Sequence, residues 1–165
     1  MADVLIRLAQ PGDADAIWHI IEPIVRSGET YALPRTMTRD DALSYWLPAS
    51  HGVYVAEENG AIVGTYCMRA IRPGGGDHVA NCGYMVSPGD AGRGIGRAMC
   101  VDSIERARKL GFRAIQYNFV VSTNESAIRL YQSLGFEIAG RLPGAFAHPT
   151  RGYVCLLYTS DAADE

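Results

Sequence analysis

Residues 87–99, SPGDAGRGIGRAM, put glycine at positions 92, 94 and 96 and set Arg93 and Arg97 among them. So bare a backbone just before a helical pattern suits an anion, because the unpaired N–H groups and partial positive charge of a helix N-terminus can then be approached closely. Two better-known phosphate loops fail on spacing. A dinucleotide fingerprint starting at Gly92 needs Gly or Ala where Arg97 stands, and one starting at Gly94 needs it where Met99 stands. The Gly-Lys-Ser/Thr of a nucleotide-triphosphate loop is absent. Taken alone, the stretch is equally a glycine-rich turn that starts a helix.

Two asparagines form a second group. Asn81 in VANCGYMV and Asn118 in RAIQYNFVV lie within strand-like runs, where asparagine is depleted and a buried amide needs partners. They read either as groups aimed at a substrate or as amides bonded to a bulge or to neighbouring backbone. Other chemistries find no support. His19, His51, His78 and His148 lack metal-ligand spacing, Cys67, Cys82, Cys100 and Cys155 form no CxxC pair, and no Gly-x-Ser-x-Gly elbow occurs. No metal is expected. His148, in GAFAHPT, reads as a surface-loop histidine that borders an acceptor pocket at most.

The positioning elements follow from periodicity. VLIRLA reads as a strand. PGDADAIWHIIEPI reads as a helix with Asp13 as N-cap, Ile17, Ile20, Ile21 and Ile24 on one face, and Pro23 ending or kinking it. Thr38 and Asp41 form a capping-box pattern at a second helix, and Trp18 and Trp46 are expected to pack both helices on a sheet. Asn59-Gly60 separates two antiparallel strands, and a strand VANCGYMVSP leads into the glycine loop. A helix from Ile95 to Lys109 stops at Gly111 and is followed by a fifth strand. The helix NESAIRLYQSL places Ala127, Leu130, Tyr131 and Leu134 on one face. FEIAGRL and GYVCLLYT close the chain as strands around a loop PGAFAHPT. The result is a mixed α/β order, β-α-α-β-β-β-α-β-α-β-β, without repeats or a domain linker.

Composition agrees with one domain: 165 residues, 48% hydrophobic, 20% charged. A net charge of −3 offers no overall field for nucleic acid, so an anion site must be local. No apolar run reaches about 18 residues and no signal-like start is present, which argues against a membrane span or secretion. The scattered cysteines point to a reducing cytoplasm.

Together, GRGIGRAM and NESAIRLYQSLGF resemble the GCN5-related N-acetyltransferase (GNAT) superfamily, whose loop reads Gln/Arg-x-x-Gly-x-Gly/Ala and whose later helix reads Asn...Ala...Leu-Tyr...Leu-Gly-Phe. The loop pattern aligns with residues 91–96, with Ala91 departing from Gln or Arg. The order of elements matches the family over nearly the whole chain, implying a mostly antiparallel, splayed central sheet. The resemblance implies that Gly92, Arg93, Gly94, Ile95, Gly96 and Arg97 bind the pyrophosphate of acetyl-coenzyme A. Tyr84, Met85 and Val86 would align its pantetheine arm, as a strand pairs with an extended peptide, while Asn124 and Ala127 contact the cofactor. Tyr131, which on spacing alone packs with Leu130 and Leu134, becomes the general acid toward the departing thiolate. Dimers are common in the family, although no residue here specifies one.

The implied chemistry is direct attack by an amine in a ternary complex. An alkylamine with pKa about 10.4 lies about 3.4 units from its neutral form at pH 7, or roughly 4.6 kcal/mol, whereas an α-amine near 7.7 to 8 needs about one unit. Many family members place a glutamate on strand four for this; VANCGYMV has no carboxylate. Glu22 and Glu29 remain as bases acting through water. Fungal N-acetyltransferases of proline-like imino acids carry an NFV...SN run similar to NFVVSTN here, and on that analogy Asn81 and Asn118 orient the substrate or polarise its carbonyl. The reading is an acetyl-coenzyme A-dependent N-acetyltransferase acting on a small amine or amino or imino acid. A non-catalytic acyl-coenzyme A sensor and a protein N-terminal or lysine acetyltransferase are the alternatives.

The final stretch, CLLYTSDAADE, residues 155–165, back-translates with suitable codons to a transposon-end sequencing adapter. A single native domain over residues 1–154 with a foreign tail is therefore expected.

Overall fold

The computed structural model describes residues 3–161. Its elements are β1 (Leu5–Leu8), α1 (Ala14–Ser27), α2 (Arg39–Trp46), β2 (Gly52–Glu58), β3 (Ala61–Ala70), β4 (Val79–Val86), α3 (Ile95–Lys109), β5 (Ala114–Val121), α4 (Glu125–Ser133), β6 (Glu137–His148) and β7 (Gly152–Asp161). The order and classes match the sequence reading. The strands form one sheet, β1-β2-β3-β4-β5-β7-β6, antiparallel throughout except between β4 and β5.

Each face of the sheet buries an apolar layer. On one face, Ile95, Met99 and Ala107 of α3 pack on Tyr66, Ala80, Cys82, Ile115 and Tyr117, with Ile128 and Tyr131 of α4 at the margin. On the other, Ile17, Ile20, Ile21 and Val25 of α1 and Trp46 of α2 pack on Val53, Val55 and Met85. Each such aliphatic side chain contributes roughly 1.5–3 kcal/mol on full burial. Trp46 is 1% exposed and satisfies its indole by donating to Thr65 Oγ1 at 3.0 Å, while Thr65 donates to the Tyr54 carbonyl at 2.8 Å. Asn59 (φ 50°) and Gly60 (φ 80°) supply the two left-handed positions of the β2–β3 turn. Among the described residues, no helix is long and apolar enough to cross a membrane.

Three local expectations are corrected. Pro23 lies inside α1, which runs on to Ser27 and stops at the left-handed Gly28. The missing N–H forfeits one helical bond, and the buried residues Ile20, Ile21 and Val25 on either side hold both halves against the sheet. Asp13 precedes α1 without capping it through its side chain; its carboxylate instead accepts from Arg7 at 2.8 and 3.1 Å and from the Gln10 N–H at 2.7 Å. Finally, the stretch expected as the loop PGAFAHPT largely belongs to β6. β6 is an edge strand, and a register shift between Leu142 and Phe146 takes up Pro143, the placement a residue without an N–H tolerates.

Residues 155–161 of the final stretch form the body of β7 between β5 and β6, with Leu156, Leu157 and Thr159 buried. Residues 162–165 lie outside the described residues.

Candidate active site

The sheet opens where its one parallel pair begins. β4 and β5 are paired only at Val79↔Ala114 and Ala80↔Ile115, after which the seam is continued by the side chain of Asn81, whose Nδ2 donates to the Gln116 carbonyl at 2.9 Å. The β3–β4 ladder fixes what faces the opening. Ser87 N–H donates to the Val63 carbonyl and Ile71 N–H to that of Val79, both at 2.9 Å, so the odd-numbered β4 residues bond to β3. The main-chain groups of Cys82, Tyr84 and Val86 therefore point toward β5, beyond the point where β5 pairs with them. Met85, opposite Thr65, turns its backbone to β3 and its side chain into the α1–α2 core.

The glycine loop ends this opening. Gly92 (φ 77°) and Gly94 (φ 83°) are left-handed, yet a Cβ at either would meet nothing within 4 Å, so conformation alone calls for glycine there. Gly94 is the N-cap of α3, with no side-chain cap and no acidic residue in the first turn. The N–H groups of the first turn, Ile95 to Arg97, are thus open to an anion. A Cβ on Gly96 would stand 3.8 Å from Val86 and 3.9 Å from Leu130, so this glycine borders the cleft between β4 and α4. Arg93 is already engaged: it binds both oxygens of Glu58 at 2.8 and 2.7 Å and Asp90 at 2.6 Å. Its guanidinium clamps the loop to the β2–β3 hairpin. Arg97 reaches Ser133 Oγ on α4 at 3.0 Å. Asn124 holds the N-cap position of α4 without a side-chain cap bond; its Oδ1 accepts from Ser126 Oγ at 3.4 Å, leaving Nδ2 for another partner, and Ala127 is half-buried one turn on.

Three tyrosines, Tyr84, Tyr117 and Tyr131, line the α3–α4 side. Ser103 donates to the Cys100 carbonyl at 2.7 Å, which leaves its oxygen to accept from Tyr84 at 2.7 Å, and Tyr84 in turn accepts from Tyr117 at 2.8 Å. These hydroxyls are mutually satisfied. Tyr131 packs with ring centroids 4.3 Å from Tyr117 and 6.3 Å from Tyr84. Burial, relieved by no hydrogen bond, pushes its hydroxyl well above the usual tyrosine range.

On the opposite face stands a residue that sequence reading missed. Tyr31, in the loop after α1, donates to the Tyr84 carbonyl at 3.0 Å, and its hydroxyl lies where a Cβ on Gly83 would come within 3.1 Å. An aromatic residue amid SGETYALP was the available signal, but nothing local tells which strand it reaches. Burial raises its pKa; Tyr31 packs with the α1–α2 layer and Tyr131 with the α3 layer, so the two approach the sheet from opposite faces. Asn118 occupies a bulge, where β5 slips register against β7 between Tyr117 and Val120. Its Oδ1 is buried without a partner, an arrangement that points to an absent donor. The structure thus brings Asn81, Tyr84 and Tyr131 to one opening, with Asn118 on the neighbouring β5 in its bulge against β7. Glu22 instead pairs with Arg26 at 3.6 Å, Glu29 is exposed, and His148 closes the β6–β7 turn, accepting at Nδ1 from Thr150 N–H at 3.2 Å.

The acetyltransferase (GNAT) family model matches residues 17–136. The L-methionine sulfoximine/L-methionine sulfone acetyltransferase of Salmonella typhimurium is 30% identical over 143 residues, covering 84% of this chain and 82% of that protein. The chain spans 66% of N-acetyltransferase aca1 of Schizosaccharomyces pombe, at 27% identity over 73% of its own length. Among solved structures, a GCN5-related N-acetyltransferase from Kribbella flavida has a TM-score of 0.92 at 43% identity, with 96% of this chain and 97% of that one covered. The acetyltransferase yncA of Salmonella typhimurium, solved with its cofactor acetyl-CoA, has a TM-score of 0.87 at 27% identity over 99% and 96%.

Proposed function

Because the chain belongs to the acetyltransferase (GNAT) family, we propose that it transfers acetyl from acetyl-coenzyme A to the amino group of a small amine or amino or imino acid, by direct attack in a ternary complex. The observation that carries this reading is the opening between β4 and β5, edged by main-chain groups of Tyr84 and Val86 that β5 does not pair, the Tyr84 carbonyl being held by Tyr31, and closed at one end by the uncapped N-terminus of α3. The residues fit the cofactor. An extended arm can pair with the β4 edge as a further strand, a pyrophosphate can sit on the Gly94–Arg97 N–H groups, and Gly96 keeps the intervening surface low.

When bound, acetyl-coenzyme A supplies an acetyl group activated as a thioester. Tyr131 holds its proton at Oη through the neutral range, as its raised pKa requires, and so can donate to the departing sulfur. The unpartnered Asn118 Oδ1 accepts from the incoming amine, while Tyr31 and Asn81 shape the acceptor side. No carboxylate lies on β4, which favours an acceptor that needs little help in losing its proton, an α-amine over an alkylamine. The amino-acid substrates in the name of the Salmonella relative support the same class.

The test is thiol release from acetyl-coenzyme A with pooled amines, α-amino acids and imino acids. Turnover confined to the small-molecule pools is expected. Turnover only with protein N-termini or lysine peptides, or none with any pool despite a thermal shift from acetyl-coenzyme A, would overturn the reading.

A further inference from the structure

β3 carries a guanidinium, that of Arg69, which no carboxylate of the described residues claims. The other half-buried arginines pair with acids: Arg7 with Asp13 and Glu57, Arg26 with Glu22, Arg106 with Asp102. Arg69 is also half-buried, yet among the described residues its side-chain partner is neutral. Its Nη1 donates to His51 Nε2 at 3.0 Å. The other ring nitrogen, Nδ1, faces the Trp46 carbonyl at 3.4 Å, which fixes the proton on Nδ1 and the lone pair on Nε2. Burial first, and the Arg69 charge besides, depress the histidine pKa, so His51 orients Arg69 without neutralising it. A half-buried cation held this way lacks its counter-charge.

The register says where that counter-charge would come from. Arg69 stands opposite Asn81, and Cys67 opposite Gly83, so both β3 side chains share the face on which Tyr31 reaches Gly83 and the Tyr84 carbonyl. Cys67 packs against the α1–α2 core, and Arg69, two residues further along β3, projects to the same face. An α-amino acid carries its carboxylate one carbon from its nucleophilic nitrogen. With Nη1 occupied by His51, the Nη2 and Nε donors remain for a carboxylate, in the fork geometry that suits one.

We propose that Arg69 receives the carboxylate of the acceptor, restricting acceptors to α-amino and α-imino acids, and that His51 is the positioning residue for that guanidinium. This rests on the acetyl-acceptor reading above. The sequence signal was a charged residue inside the apolar run TYCMRAI.

The experiment compares kcat/KM for L-methionine sulfone and L-proline with that for their carboxamides, in the wild type, Arg69→Gln, Arg69→Lys and His51→Gln. The acids are expected to be preferred by about 30-fold or more. Arg69→Gln should abolish the preference through the KM of the acids while leaving the amides unchanged, Arg69→Lys should recover part of it, and His51→Gln should raise the KM of the acids without lowering kcat. Equal use of acid and amide, or a preference that survives Arg69→Gln, would overturn the proposal and leave acetyl transfer standing. If no amine is acetylated, thermal shifts with N-acetylmethionine in the presence of coenzyme A decide. A shift lost in Arg69→Gln keeps the carboxylate site while the acceptor reading falls, and no shift in the wild type overturns the site as well.

Discussion

The Tyr31 hydroxyl donates to the Tyr84 carbonyl at 3.0 Å, and this bond joins the loop after α1 to the strand edge at which β4 parts from β5. The same tyrosine thereby becomes a wall of the opening, since its hydroxyl sits over Gly83. Tyr31→Phe removes one hydrogen bond, worth about 1 kcal/mol net, so the fold should survive with a melting temperature lowered by roughly 2–4 °C. Acceptor KM should rise several-fold with the acetyl-coenzyme A KM unchanged; unaltered steady-state constants would remove Tyr31 from the site.

Tyr131→Phe should lower kcat by about 100-fold, the low end of general acid catalysis, with acetyl-coenzyme A still bound as in the wild type. Burial raises the Tyr131 pKa, so the protonated form persists above the ordinary value of about 10. The wild-type kcat should consequently show no descending limb from this residue below pH about 10. A limb in that range that disappears in Tyr131→Phe would contradict the assignment.

Gly94→Ala isolates the backbone requirement at the start of α3. The new Cβ meets nothing within 4 Å, yet φ is 83°, a conformation that costs an L-residue about 1–3 kcal/mol. A five- to ten-fold rise in the acetyl-coenzyme A KM is the approximate expectation, without change in acceptor KM. Isothermal titration with coenzyme A reads the same effect directly.

Leu157 is 1% exposed between β5 and β6, and Leu157→Ala should cost about 2–5 kcal/mol. A chain ended after Val154 loses Leu156, Leu157 and Thr159 together and should show no cooperative thermal transition by circular dichroism. Any continuation that restores apolar residues at 156 and 157 should recover it. We propose that the natural strand meets this requirement, with residues 155–165 of adapter origin. A genomic reading through the same codons would settle against that origin.

Asp13 has its pKa lowered, first by the hydrogen bonds from Arg7. A depressed carboxylate contributes stability that is present above its unfolded pKa of about 3.9 and is lost as pH falls through the folded value. Thermal unfolding followed from pH 6 to pH 2.5 should show this loss, and Asp13→Asn should flatten that part of the profile while lowering stability at pH 6. An unchanged slope in the variant would assign the acid sensitivity to other carboxylates.

The sequence by itself determined the elements whose causes are local. Apolar spacing placed α3 from Ile95 to Lys109 to the residue, and Asn59-Gly60 dictated its turn, because helical periodicity and left-handed φ angles are properties of neighbouring residues. The glycine loop and the Asn...Leu-Tyr helix likewise carried the family in short contiguous runs. What only the tertiary structure decided depends on residues distant in the chain. Pro143 is tolerated within a strand because β6 lies at an edge. Tyr31 reaches Tyr84 across 53 positions, Arg93 is drawn to Glu58 across 35, and Arg69 rests on His51 across 18. No window of sequence contains both partners of such a contact, so the opening between β4 and β5, and the charge beside it, exist only once the sheet has aligned them.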